Sequence, residues 1–300
     1  MQTKFNIGQY VETFVEWLSD VAAPFFKQVT ILIENSVHFL QDQLISSPFY
    51  VVILAFALIA LLIKAGGYKN LRYIRKNARE WLGLPAFTLF GLLLIYFMGF
   101  WKQTLDTFVL VVVSTIIILI MGIPLGIWGA RNHKVYGIIR PILDFMQTMP
   151  AFVYLIPAIL FFSVGNVPGV IATVIFSLPP AVRMTTLGIR EVPKETLEAS
   201  LAFGCTEKQT LFKVQIPLAM KTILAGVNQV IMLALSMVVI ASMVGAGGLG
   251  ESVYAGIQQA DVALGFEAGL CIVILAIILD RMTQELGKIN RNQHINESTK

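Results

Sequence analysis

Apolar residues in this chain are gathered into long runs rather than scattered along the sequence. Phe108 to Trp128 passes without a single charge, and a helix needs about 20 such residues to cross the hydrocarbon core of a bilayer. Stretches near 48–63, 86–101, 105–128, 142–163, 168–187, 219–244 and 264–281 qualify as candidate spans, the first two of them short. The pattern predicts an all-α membrane protein of about seven transmembrane helices.

A different periodicity precedes the first run. Ile7, Val11, Phe14, Leu18, Val21, Phe25, Val29 and Leu32 recur at three- and four-residue intervals, while Glu12, Glu16, Asp20 and Lys27 fall off that face. This predicts an N-terminal amphipathic helix, interrupted near Pro24. Packing on the other helices and lying in the membrane interface both suit it, and its acidic polar face argues against anionic lipid.

Composition agrees with the bilayer as solvent. Hydrophobic residues make up 56% and charged residues 13% of the 300, against roughly 45–50% and 25% in a soluble domain. The net charge of +4 is sorted by membrane side rather than clustered into a phosphate-binding face. With the N-terminus outside, seventeen of the 22 Lys and Arg fall in the segments 64–85, 129–140, 188–217 and the tail from Arg281. The opposite side holds Lys4, Lys27 and Lys102, with the short connections near 102, 165 and 245–263. That asymmetry places the C-terminus in the cytoplasm. The loop carrying Arg72, Arg75, Lys76 and Arg79 reads as a topology-fixing loop near anionic headgroups, not a nucleic-acid patch.

Enzyme chemistry finds little support. His38, His133 and His294 are far apart, and no Cys, His, Asp or Glu cluster has metal-ligand spacing. Cys205 and Cys271 read as free thiols. No cleavable signal is evident at the N-terminus, so the first span would serve for insertion. Gly245, Gly247 and Gly250 satisfy G-x-G-x-x-G, but they follow a membrane span rather than a strand and read as a tight turn. No phosphate-cradling G-x-x-x-x-G-K-[ST] loop occurs. Asp106, Asp144, Glu267 and Asp280 lie near span ends, which weakens a self-sufficient ion-coupled carrier.

The segment from Glu191 to Pro217 is too polar to span and too regular to be slack. Pro193 suits a first helical position, Glu195 to Phe203 holds good helix formers, and Gly204 suits a left-handed helix end. Thr206 with Gln209 makes a capping box, and a second helix through Leu211, Phe212, Val214 and Ile216 is expected to stop at Pro217. An ordinary helical loop resting on the membrane and a force-transmitting elbow both fit this pattern.

Glu198-Ala199-Ser200, three residues, Gly204, nine residues, then Val214-Gln215-Ile216-Pro217 resembles the coupling-loop motif E-A-A-x3-G-x9-I-x-L-P of ABC importer permeases. Ser200, Val214 and Ile216 are conservative departures. Further strings look like the glycine betaine/proline permease subfamily: Gln147-Thr148-Met149-Pro150-Ala151-Phe152-Val153-Tyr154-Leu155, Phe176 to Pro180, Gly226 to Gln229, Ala241 to Met243, Gly247 to Gly250 and Ile277 to Arg281. The resemblance covers about residues 101–285.

The resemblance implies a type I ABC importer core and a division into four parts. These are an extracytoplasmic amphipathic segment (1–47), two accessory spans with a basic cytoplasmic loop (48–101), the importer transmembrane domain (102–283) and a polar cytoplasmic tail (284–300). It implies a bacterial cytoplasmic membrane, a second permease copy, two cytoplasmic ATPase subunits that hold ATP-Mg, and a separate extracytoplasmic substrate-binding protein. The chain itself would carry no cofactor and no catalytic group. Glu198, Ala199, Ser200, Gly204 and Pro217 would couple it to the ATPase. Gln147, Met149, Phe152, Tyr154 and Asn228 are candidates for the translocation path. The expected cargo is a quaternary ammonium or zwitterionic osmolyte, glycine betaine first, with proline, choline and carnitine open. Its aromatic cage is expected on the binding protein.

Overall fold

The computed structural model describes the backbone of residues 7–66 and 78–297. Arg72, Arg75 and Lys76 of the basic loop lie outside the described residues, as do the side chains of Ile7, Val11 and Phe14 in the amphipathic segment. Among the described residues there is no strand.

Two helices, α1 (Ile7–Val21) and α2 (Ala23–Ile45), form the N-terminal arm. The break predicted near Pro24 falls at Ala22, and Pro24 sits in the first turn of α2, where its missing N–H costs nothing. The break also re-phases the apolar face. Val21, Phe25 and Leu32 are exposed, whereas Ile33 and Val37 are buried, with Val29, Leu40 and Leu44 packed beside them. The single stripe expected from 7 to 32 therefore does not continue through the break. α2 packs on the body of the protein.

α3 (Phe49–Gly66) leaves α2 at an angle of 106°. It pairs with α4 (Ala78–Phe97), and both lean on the last helix, α13 (Val262–Glu297). Their cluster contains Val52, Ile53, Phe56, Leu92, Ile95, Ile274 and Ile278. Phe49 stacks on Tyr96 with ring centroids 4.0 Å apart.

The core is built around α8 (Asn166–Arg190), which lies between α5 (Trp101–Arg131) and α11 (Ile216–Ala241). Lipid gives helices no hydrophobic reason to associate, so close approach through small residues matters. A Cβ on Gly122 would come within 2.6 Å of Ala181 Cβ, and one on Gly126 within 2.5 Å of Thr185 Cβ. This Gly-x-x-x-Gly face seats α5 on α8. Across α8, a Cβ on Gly226 would meet Met184 Cβ at 2.7 Å. Pro124, Pro179 and Pro180 are carried inside these helices, as neighbouring helices in a membrane permit.

Among the described residues, four helical runs are long and apolar enough to cross a membrane alone: Trp101–Arg131, Asn166–Arg190, Glu207–Val244 and Val262–Gly287. Counting the bent pairs α2–α3 and 133–162 as one span each gives up to six, rather than the expected seven. Leu82–Phe97 is a shorter apolar helix. The apolar stretch 142–163 is not one straight span. It is split between α6 (His133–Thr148) and α7 (Leu155–Phe162), with a 3-10 turn at Ala151–Tyr154, and the two arms meet at 110°. Pro150 explains the break, because it drives the preceding Met149 into extended backbone, ψ 136°. The connection 245–263 is also more than a loop, for it contains α12 (Leu249–Gln259).

Candidate functional site

The polar loop folds as an elbow. Its first arm is α9 (Lys194–Ala202), with Pro193 one position earlier than expected, at the N-cap. Phe203 caps the other end and Gly204 turns left-handed at φ +78°. Cys205 N–H donates to Ser200 C=O at 3.1 Å, and Gly204 N–H to Leu201 C=O at 2.9 Å. These two bonds form a Schellman closure, which needs a residue free of left-handed strain. A Cβ at Gly204 would meet nothing within 4 Å.

The second arm starts at α10 (Glu207–Thr210). Thr206 and Gln209 make the expected capping box: Gln209 N–H donates to Thr206 Oγ1 at 3.4 Å, and Thr206 N–H to Gln209 Oε1 at 2.9 Å. Pro217 does not stop this arm. The chain passes through a π turn, Leu211–Gln215, straight into α11, with Pro217 in the first turn of that helix. In a regular α-helix the proline ring would strike the carbonyl four residues back. The wider π turn, closed by Ile216 N–H to Leu211 C=O, accommodates it, so elbow and span are one helical run from Glu207 to Val244.

The crease is polar and closed. Ser200 Oγ bonds Leu197 C=O at 2.7 Å and lies 3.2 Å from Thr210 Oγ1. Beneath it, Leu211 packs with Ile189, Ala219 and Ile223 against Ile123, Ile127 and Ala130. Arg131, at the end of α5, pairs with Glu207 at 2.5 Å. Arg190 donates to Gly129 C=O at 2.7 Å while its guanidinium lies 4.4 Å from the Tyr136 ring centroid. The elbow is therefore bound to the ends of α5, α8 and α11.

Its outer face is open. Glu198 and Ala199 are exposed, Leu201 is 55% and Phe212 63% exposed, and Phe203 at 89% is the most exposed large apolar side chain among the described residues. Apolar groups clustered on a polar loop mark an interaction surface for a protein or a membrane. Sequence reasoning had placed Phe203 only as the end of a helix.

The chain matches the family model for the binding-protein-dependent transport system inner membrane component over residues 122–288. That stretch includes the whole elbow and more than half of the chain. The protein belongs to this family. It is 47% identical to the glycine betaine transport system permease protein OpuAB of Bacillus subtilis, covering 94% of this chain and 95% of that one. Identity to the glycine betaine/proline betaine permease protein ProW of Escherichia coli is 44%, over 97% of this chain and 78% of ProW. The glycine betaine/carnitine permease protein GbuB of Listeria monocytogenes is 56% identical over 72% of this chain and 76% of its own. The inward-facing MetNI methionine ABC transporter shares the fold, with a TM-score of 0.58 at 22% identity, covering 62% of this chain and 93% of the matched one.

The protein is thus a non-catalytic, multi-pass ABC transporter permease subunit of the type I importer fold, in a family whose members work with a substrate-binding protein and a separate ATPase. The candidates for a path through this permease are only partly brought together. Met149 and Tyr154 share a cluster with Phe176, Met237 and Val244, and Tyr154 donates its hydroxyl to Met146 C=O across the α6–α7 bend. Gln147 and Phe152 are exposed. Asn228 is engaged elsewhere, donating to Asp280 Oδ1 at 2.7 Å on the seam of α11 and α13.

At the far end of α11 the glycine-rich segment is the expected turn. Gly245 has φ +84° and Gly248 φ +101°. Leu249 N–H donates to Thr107 Oγ1 at 2.8 Å, and Gly247 N–H to Asn166 Oδ1 at 3.0 Å. These bonds fasten the turn to α5 and to the start of α8.

Proposed function

We propose that this chain is the membrane permease of an ATP-driven importer for quaternary ammonium and zwitterionic osmoprotectants, with glycine betaine as the principal cargo and proline, choline or carnitine as related ones. The observation that carries the cargo class is near-full-length similarity to a glycine betaine permease. Charge placement supports a bacterial cytoplasmic membrane with the N-terminus outside and the elbow and C-terminus in the cytoplasm.

In this reading two copies of the chain surround the path. Two ATPase subunits, holding ATP-Mg, dock on the elbow, and a binding protein delivers solute from outside. Glu198, Ala199, Leu201 and Phe203 form the docking face, Ser200 and Gly204 shape the elbow, and Pro217 sets its rotation relative to α11. ATP-driven closure of the ATPase pair favours one arrangement of the helices, and hydrolysis restores the other. Met149, Phe152 and Tyr154 at the α6–α7 bend are the path residues this reading retains, and Gln147 sits at its approach. Asn228 holds α11 to α13 instead.

The test is uptake of labelled glycine betaine by proteoliposomes containing this chain, its ATPase and its binding protein. ATP-dependent uptake is the expected result. Uptake without ATP would replace the reading with a self-sufficient carrier.

A further inference from the structure

Between α3, α4 and α13 lies a cleft of about 330 Å³ lined by Lys64, Gly83, Leu84, Phe87, Ile277, Arg281 and Glu285. It is separate from the elbow and from the α6–α7 bend. Its two cations sit where apolar helices end: Lys64 closes the apolar part of α3, and Arg281 follows the run Ile277-Ile278-Leu279-Asp280 of α13. A cation at the end of an apolar membrane helix is suited to headgroup depth, and these two come from helices far apart in sequence. Leu84, Phe87 and Ile277 line the same cleft with apolar side chains, and Phe87 and Ile277 are each 37% exposed. Gly83 leaves the mouth open, since a Cβ there would meet nothing within 4 Å.

We propose that this cleft is a binding site for one anionic phospholipid. Its phosphodiester lies between Lys64 and Arg281 and an acyl chain runs down along Phe87 and Ile277. The cationic rim answers the phosphate, and the apolar wall answers the chain. Basic clefts between membrane helices at headgroup level are chemically suited to phospholipid headgroups. Such a lipid would fill the gap between the accessory pair α3–α4 and the importer core.

The test is native mass spectrometry of the full-length chain released from nanodiscs containing phosphatidylglycerol, phosphatidylethanolamine and phosphatidylcholine. One phosphatidylglycerol per chain should be retained by the wild type. Lys64→Gln with Arg281→Gln should weaken retention roughly thirtyfold, from the usual contribution of each basic residue at the membrane surface. Glu285→Gln, which removes the opposing charge, should retain at least as much as the wild type and shows that substitution here does not itself unfold the cleft. Equal retention by wild type and double variant, or equal retention of all three lipids, would overturn the site. Displacement of the lipid by millimolar inorganic phosphate would reassign it to soluble phosphate. Because the readout needs no transport, its failure is distinguishable from failure of the importer reading.

Discussion

Ser200 Oγ and Thr210 Oγ1 meet at 3.2 Å in the crease of the elbow, and both residues are buried. Removing one member of such a pair strands the other, whereas removing both is nearly neutral. Ser200→Ala should cost about 1 kcal/mol of local stability, and adding Thr210→Val should recover most of it. Thermal unfolding of the four members of this cycle checks the coupling. Additive losses would mean that the two hydroxyls act independently.

Gly204→Asp should leave the protein in the membrane and abolish ATP-dependent uptake. The site has room for a side chain, and the left-handed backbone at φ +78° costs a non-glycine residue roughly 1–2 kcal/mol, which a large membrane domain tolerates. The added carboxylate would project into the face assigned to the ATPase. Immunoblotted membranes measured alongside uptake separate the two effects, and normal uptake would remove Gly204 from the coupling role assigned to the elbow.

Pro217→Ala should preserve insertion but impair transport. With a backbone N–H restored, the π turn loses its cause and the arm can relax to regular α-helix. Loss of that one-residue widening rotates α10 by about 100° about the helix axis and carries the elbow away from its partner. Cysteine cross-linking between the elbow and the ATPase, compared in wild type and variant, reads the rotation directly.

Gly126→Val should act on the fold itself. A Cβ there would approach Thr185 Cβ at 2.5 Å and Val182 carbonyl oxygen at 2.8 Å, so α5 must move off α8. Overpacking of this kind costs about 1–3 kcal/mol. A lowered melting temperature of the purified chain in detergent is the expected outcome. Gly137→Ala, placed where a Cβ meets nothing within 4 Å, should leave it unchanged.

Much of the fold was legible because hydrocarbon thickness translates directly into run length. The apolar stretches at 105–128, 168–187 and 264–281 lie inside α5, α8 and α13. Hydropathy is blind to direction, so the bend inside 142–163 escaped it even though Pro150 stood at the break. The same blindness applied to Pro217, where one proline breaks a regular helix but a π turn can admit it. Helix α12 was missed because Leu249–Gln259 mixes glycine, glutamine and glutamate with a few apolar residues. Its start is fixed by the tertiary bond to Thr107, 142 residues away. In the elbow, local chemistry decided the outcome: the capping box and the Gly204 closure depend on neighbours in sequence. The exposure of Phe203 depends on what surrounds it in space, and no local pattern encodes that.

The run from Glu207 to Val244 is a continuous helical stretch of 38 residues, roughly 57 Å at about 1.5 Å per residue. In the proposed importer it would act as a lever whose short arm is the elbow and whose long arm reaches the opposite membrane face. A tilt of about 5° displaces the far end of a rod this long by roughly 5 Å. That far end is fastened through the glycine turn to Thr107 and Asn166, so α5 and α8 would be drawn along with it. Because the π turn admits Pro217 without breaking the run, the stroke would not be lost at a proline kink.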